Sequence, residues 1–168
     1  MAIYYGDGTN SSEGRLIKTT IDYRNSRGST SSTSYVGSGL EISGYAAESS
    51  SNKLILTFMA PMSGNYWNVH GFKLRFQRDG SDIGQIGSGA SQMNSVSNGS
   101  MAAHSSTHTQ HYNQINHSAL VYEPANTTSS TYRVAFAAMN SGYTVYVVGN
   151  GQNYSCGVGY LMIQEFAH

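Results

Sequence analysis

Short runs of alternating apolar and polar residues, separated by clusters of Gly, Ser and Asn, most limit what this chain can fold into. Such runs have the two-residue period of a β-strand, and the clusters are typical of turns between strands. Clear examples are KLILTFMAPM (53–62), YRVAFAA (132–138) and GVGYLMIQE (157–165). We find no helical periodicity of convincing length. The pattern therefore predicts an all-β fold, an antiparallel sandwich or barrel of about eight to ten strands.

Several of these runs also predict which residues share a face. In RLIKTTIDY (15–23) one face carries Lys18, Thr20 and Asp22, and the other face carries Ile17, Ile21 and Tyr23. In the run 53–62, Ile55 and Met59 stand opposite the main apolar row, so we expect this strand to be covered on both sides. The last run, 157–165, is apolar on both faces at its centre. It is therefore expected in the middle of the sandwich.

The connections between strands have recognisable turn residues. Asp79-Gly80 predicts a tight hairpin, because these residues readily adopt the positive φ angles that such a turn needs. Residues 140–142 predict a second short hairpin, between strands 132–138 and 143–148. His70-Gly71 predicts a β-bulge. The segment 87–114 has no clear period and is either a functional loop or several weak strands.

Charge is scarce in this chain and excludes some classes of partner. Charged residues make up 11% of the sequence, and nine Lys and Arg balance nine Asp and Glu. Binding to nucleic acid depends on neutralising phosphates with basic residues, so a nucleic-acid partner is not expected. No apolar run approaches the roughly 20 residues that span a bilayer, and no polybasic segment favours a membrane surface. A polar, nearly uncharged surface suits a protein that packs against copies of itself or that contacts glycans.

Histidines are the most concentrated chemical feature. His104, His108, His111 and His117 fall close together, and the spacing of the first three would align them on one helical face. Clustered imidazoles bind zinc and other transition metals. However, the segment has neither a helical apolar stripe nor an interleaved Cys or carboxylate. We therefore expect loop contacts to a partner, with pH sensitivity as a second use, and predict no metal and no cofactor.

Catalytic groups are not arranged in any recognisable motif. The single cysteine, Cys156, begins an apolar run and is expected to be a small buried hydrophobic residue. Carboxylates are sparse, and nothing selects a pair such as Glu41 and Glu123 for acid–base catalysis. No Gly-x-Ser-x-Gly motif places a nucleophile between a strand and a helix. The chain is therefore not expected to be an enzyme.

From residue 53 onward the sequence resembles a known family. The segments that carry the resemblance are SNKLILTFMAPMSG, FKLRFQRDGSDI, SALVYEPANTTSSTYRVAFAAMNSGYTVYVVG and YLMIQEFAH. They resemble the tumour-necrosis-factor-like jelly-roll domains of structural proteins in tailed bacteriophages, particularly those that infect marine cyanobacteria. The opening MAIYYGDG is similar to the start of small virion proteins of such phages. The resemblance implies a jelly roll that assembles as a homotrimer on the virion, and it implies no catalytic residues.

The chain before this region is expected to serve as an arm. We predict an N-terminal strand and anchoring arm at residues 1–50 and the jelly-roll domain at 51–168. Two tyrosines outside the clear strands, Tyr35 and Tyr45, are further candidates for partner contact. The arm's anchoring side chains are predicted to be Ile3, Tyr4, Tyr5, Leu16 and Ile17.

The most favoured function is a capsid decoration protein of a bacteriophage, located in the virion and assembled in the host cytoplasm. Its partners would be its own copies and the major capsid protein or other virion proteins. One alternative is the receptor-binding tip of a tail fibre or spike, with loops 87–114 and 125–131 holding a host surface glycan. Another is a metal-dependent sugar-binding module.

Overall fold

The structure of the chain, a computed structural model, describes residues 3–4, 10–11, 14–64, 72–83, 93–95, 115–138, 141–142, 144–149 and 157–168. Within these ranges the chain forms thirteen strands and no helix, and every strand pairing is antiparallel. The predicted all-β, antiparallel fold is confirmed. The strands are β1 (Ile3–Tyr4), β2 (Asn10–Ser11), β3 (Leu16–Arg24), β4 (Gly28–Thr30), β5 (Val36–Tyr45), β6 (Lys53–Gly64), β7 (Phe72–Arg78), β8 (Ser81–Ile83), β9 (Met93–Ser95), β10 (Ile115–Pro124), β11 (Ser130–Ala138), β12 (Val145–Val147) and β13 (Gly159–Phe166).

Two larger sheets contain most of these strands. In the first sheet, β6 pairs along one side with β10, and along the other side with β13 and then with β12. The far side of β13 pairs with β3, and that of β12 pairs with β4. In the second sheet, β11 lies between β5 and β7, and the far side of β7 pairs with β8 and β9. The short strands β1 and β2 pair only with each other among the described strands.

The two sheets pack face to face around one hydrophobic core. Strand alternation places every second side chain of β6 in this core, and the inward side chains of β11 and β13 join the same cluster. The inward residues of β6, all 0% exposed, are Leu54, Leu56, Phe58, Ala60 and Met62. The prediction for the final strand is confirmed, since β13 lies between β3 and β6 with Leu161 and Ile163 fully buried.

The segment predicted as an arm enters both sheets. The strands β3 and β4 form the edge of the first sheet, and β5 forms the edge of the second. Residues 16–45 therefore belong to the sandwich, because their backbone hydrogen bonds are made within it. The predicted anchoring role of residues 1–50 stays a prediction.

The two faces of β3 separate as the alternation predicts, but the polar face is the inward one. Lys18 and Asp22 contact the backbone near β5 across the edge of the sandwich. Ile21 and Tyr23 point away from the core and are exposed. An edge strand thus closes the sandwich with polar side chains and leaves its apolar side chains outside.

The predicted Asp79-Gly80 hairpin is confirmed. It joins β7 to β8, with φ angles of 49° at Asp79 and 83° at Gly80.

The hairpin predicted at residues 140–142 is wrong, because β11 belongs to the second sheet and β12 to the first. This connection crosses from one sheet to the other. The bulge predicted at His70-Gly71 lies outside the described residues, and so does Cys156.

Candidate subunit interface

The outward surface of the first sheet is apolar across three neighbouring strands. Register places Tyr23, Tyr160 and Met59 in one row, and Ile21 and Met162 in the next. We call this surface the apolar face and define it by Ile21 and Tyr23 of β3, Ile55 and Met59 of β6, and Tyr160 and Met162 of β13. Ile21 is 39% exposed and Tyr23 is 65% exposed, while the other four residues are half-buried.

No charged residue interrupts the apolar face. The outward positions between its apolar side chains are held by neutral Thr19, Thr57 and Gln164. The hydroxyl of Tyr160 donates a hydrogen bond to the sulfur of Met59 at 3.5 Å. This polar group therefore points toward the neighbouring strand. Large exposed apolar patches are typical of surfaces that contact another molecule, so the apolar face is the candidate contact surface of this chain.

The outward surface of the second sheet has the opposite chemistry. Arg133 donates from Nε to the side-chain oxygen of Gln77 at 2.9 Å, and Gln77 donates to Asp82 at 3.0 Å. Arg75 forms an ion pair with the same Asp82. Its guanidinium carbon also lies 3.9 Å from the ring centre of Tyr35, in a cation–π contact. We call these residues the polar row; they join β7, β8 and β11 and tie Tyr35 to this surface.

A buried carboxylate lies at one end of the sandwich, between the sheets. Glu165 of β13 is fully buried and in phase with Leu161 and Ile163. Its Oε1 accepts hydrogen bonds from the side-chain amide of Asn52 at 2.6 Å and from the backbone N–H of Glu48 at 2.8 Å. Its Oε2 accepts one from the hydroxyl of Tyr45 at 3.1 Å.

These hydrogen bonds decide how the cluster titrates. Burial by itself raises the pKa of Glu165, but the donors from Asn52, the Glu48 amide and Tyr45 outweigh burial and lower that pKa below its ordinary value. Burial and the neighbouring Glu165 carboxylate raise the pKa of Tyr45. Lys18 lies 4.4 Å from the centre of the Tyr45 ring. The cluster therefore holds one carboxylate, charged near neutral pH, that fastens loop 46–52 to the last strand.

Only some of the predicted anchoring residues can be placed. Leu16 is 48% exposed at the start of β3. Ile17 is half-buried and in phase with Ile21, so it extends the apolar face along the strand. Ile3 and Tyr4 form β1, and the structure describes only their backbone. The predicted anchor Tyr5 lies outside the described residues.

The predicted loop contacts lie mostly outside the described residues, as is the case for His104, His108 and His111. His117 stands opposite Ala60 where β10 pairs with β6, and its side chain is not described. In the part of the chain that the structure does describe, no three His, Cys, Asp or Glu side chains lie close enough together to hold a metal ion.

The two tyrosines that were candidates for partner contact have different surroundings. Tyr45 is 3% exposed and belongs to the core, where its ring meets that of Tyr132 edge to face. The prediction for Tyr45 is wrong, because it ends β5 with its side chain directed between the sheets. Tyr35 is half-buried against Arg75.

The sequence carries one signal for the apolar face, in β6. Ile55 and Met59 stand out because they make both faces of β6 apolar, which predicts a covered outer face. In the structure both are half-buried by their own chain. Glu165 was missed altogether, although its phase with Leu161 and Ile163 places it inside.

The described residues contain no helix long and apolar enough to cross a membrane. Comparison of the chain with protein-family models and with curated proteins finds no match.

Proposed function

We propose that this chain is a structural protein of a bacteriophage virion, a capsid decoration protein that acts as a homotrimer on the head. The observation that carries the proposal is the apolar face. Among the described residues the hydrophobic core lies between the two sheets, yet Ile21 and Tyr23 remain exposed on the outside. An apolar surface that the fold itself does not need fits a joint between subunits.

The order of the strands supports a jelly roll. Each large sheet has four strand positions: β3/β4, β13/β12, β6 and β10 in the first, and β5, β11, β7 and β8/β9 in the second. Along the chain, β3 and β4 lie in the first sheet, β5 in the second, β6 in the first and β7 in the second; β10, β11 and β12 continue the alternation. Two four-stranded sheets connected in this way are typical of the jelly rolls in viral capsids.

Charge supports copies of the same chain as the partner. A net charge of zero means that subunits packed in a lattice repel each other little. The apolar face carries no charge, whereas the polar row lies on the opposite side of the sandwich. Packing of the apolar faces against neighbouring copies therefore buries no ion, which removes the main desolvation cost of such a joint.

A pair of variants tests the trimer. Ile21→Asp places a carboxylate in the apolar face, and we expect it to abolish self-association, measured by sedimentation velocity and native mass spectrometry. Thr127→Asp adds the same charge at an exposed loop position on β10–β11 and should leave the association unchanged. A wild-type protein that remains monomeric at micromolar concentration would refute the trimer.

The place in the virion is tested by copy number. Quantitative mass spectrometry of purified particles of the phage that encodes the protein should find hundreds of copies per particle. A few dozen copies at most would instead support the fibre tip, and absence from the particles would refute both functions.

A further inference from the structure

The edge strand β3 is held in the sandwich mainly by polar contacts. Among the described strands β3 pairs only with β13, and it supplies none of the residues of the hydrophobic core. Lys18 donates from Nζ to the carbonyl oxygen of Ala46 at 3.1 Å, and Asp22 accepts from the backbone N–H of Glu41 at 2.8 Å. Detaching β3 therefore breaks a backbone ladder and a few polar contacts but removes no core side chain.

Arg24, the last residue of β3, fixes the connection that follows. Its Nε donates to the carbonyl oxygen of Ser26 at 2.7 Å, and its Nη2 donates to that of Arg27 at 3.1 Å. Its Nη1 donates to the carbonyl oxygen of Ser38, near the start of β5. One guanidinium thus joins the turn between β3 and β4 to the edge of the second sheet, and its fork of five N–H donors suits three carbonyl groups.

The backbone around this guanidinium leaves space for it. A Cβ atom at Gly39 would overlap Nη1 of Arg24, and Gly39 has a φ of 79°, which favours glycine. A Cβ atom at Gly28 would lie 2.9 Å from Nη2. A substitution at Gly39 therefore displaces the guanidinium of Arg24 without replacing Arg24 itself.

We propose that β3 is an exchangeable strand and that Arg24 keeps it in its own subunit. When the turn at residues 25–27 opens, β3 of one copy can pair with β13 of a second copy and re-form the same ladder and the same contacts to β5. Such exchange of an identical element is a low-cost route to intermolecular pairing, limited by the cost of opening the hinge. The hydrogen bonds from Arg24 to the carbonyl oxygens of Ser26 and Arg27 hold this turn closed and contribute to that cost. The occupant of the vacated β13 edge is β3 of another copy of this chain.

Exchange is measured by mixing two singly labelled chains. Thr19 of β3 and Gln164 of β13 are register partners. The Cα atoms of such partners lie about 4.5–5.5 Å apart, within the range that a disulfide bridges. In a background where the only cysteine is removed by Cys156→Ser, one chain carries Thr19→Cys and the other carries Gln164→Cys. Both positions lie on the apolar face, so a disulfide formed across packed faces would appear equally with Arg24 present and absent. An increase in the interchain disulfide when Arg24 is replaced is therefore what reports β3 of one copy beside β13 of the other.

With Arg24 present, we expect the mixed chains to form this disulfide only at background level. Arg24→Ala in both chains should increase it at least tenfold. Gly39→Ala should produce the same increase by a different route. The matched control Arg15→Ala removes the same charge at an exposed position next to β3 and should stay at background level.

Folding is followed in the same system. A single chain with both Thr19→Cys and Gln164→Cys forms an intrachain disulfide when β3 pairs with its own β13. If Arg24→Ala supports that intrachain disulfide but does not increase the interchain one, the proposal is overturned. An equal increase with Arg15→Ala also overturns it. If Arg24→Ala does not fold, Gly39→Ala decides; if neither folds, Arg24 is required for the fold itself and the proposal fails.

Discussion

The buried carboxylate of Glu165 provides the sharpest test of the physical reasoning. Glu165→Ala removes an acceptor that serves three donors, from Asn52, the Glu48 amide and Tyr45. Each buried donor left unpaired costs about 1–3 kcal/mol, so we expect the free energy of unfolding to fall by at least about 3 kcal/mol. That is a large fraction of the roughly 5–15 kcal/mol that stabilises a typical domain.

Glu165→Gln should have a much smaller effect. The carbonyl oxygen of the glutamine can still accept from Asn52 and the Glu48 amide, and its NH₂ group can donate to the hydroxyl of Tyr45, which also accepts hydrogen bonds. Only the contribution of the negative charge is lost, which we expect to cost about 1–2 kcal/mol. The matched control is Glu48→Ala, because the Glu48 side chain is exposed and its backbone N–H remains in place.

The pH dependence gives a second, independent measurement. The pKa of Glu165 is lower in the folded state than the value of about 4.3 expected in the unfolded chain. Its contribution to stability is therefore complete above that unfolded value and is lost as the pH falls through the folded pKa. Denaturant titrations from pH 3 to pH 7 should show this acid loss in the wild type and less of it in Glu165→Gln. Parallel profiles for the two proteins, or a Glu165→Ala variant no less stable than Glu48→Ala, would refute the reasoning.

Three further substitutions test the packing and the turn by thermal or denaturant unfolding. Gly159→Ala should cost about 1–3 kcal/mol, because its Cβ would lie 2.7 Å from Val148 Cγ2 and 2.9 Å from Ala60 Cβ; no loss would show that the strands separate easily. Gly80→Ala should cost about 1–2 kcal/mol, since φ is 83° there; an unchanged midpoint would contradict the positive-φ turn. Tyr132→Phe should not lower the midpoint, because its buried hydroxyl lies near Arg78 but makes no hydrogen bond of good geometry in the described part of the chain; a clear loss would show that Arg78 donates to it.

Alternation in the sequence predicted the strands because each core strand repeats one pattern over many residues. In β6 every second residue from 54 to 62 is apolar, and the structure buries all five of them. The Asp79-Gly80 turn was equally predictable, because few residue pairs accept two positive φ angles. Both features depend only on the residue types at neighbouring positions, which can be read from the sequence.

The features that could not be predicted depend on which strands become neighbours. The alternation in β3 separates its two faces but does not say which one points inward, and apolarity alone suggests the wrong one. Lys18 and Asp22 point inward because β5 passes beside them, which no local pattern reveals. The hairpin predicted at 140–142 failed for the same reason, since a short connection says nothing about which sheet the next strand joins.

The two outer surfaces of the sandwich differ so much that a single subunit is an amphiphile on the scale of a whole protein. One side presents Tyr23, Ile21 and Met162, and the other presents the guanidinium and carboxylate groups of Arg75 and Asp82. At a boundary between water and a non-polar medium, such a molecule turns one side toward each phase. In any layer of copies beside such a boundary, this difference alone would give every copy the same orientation.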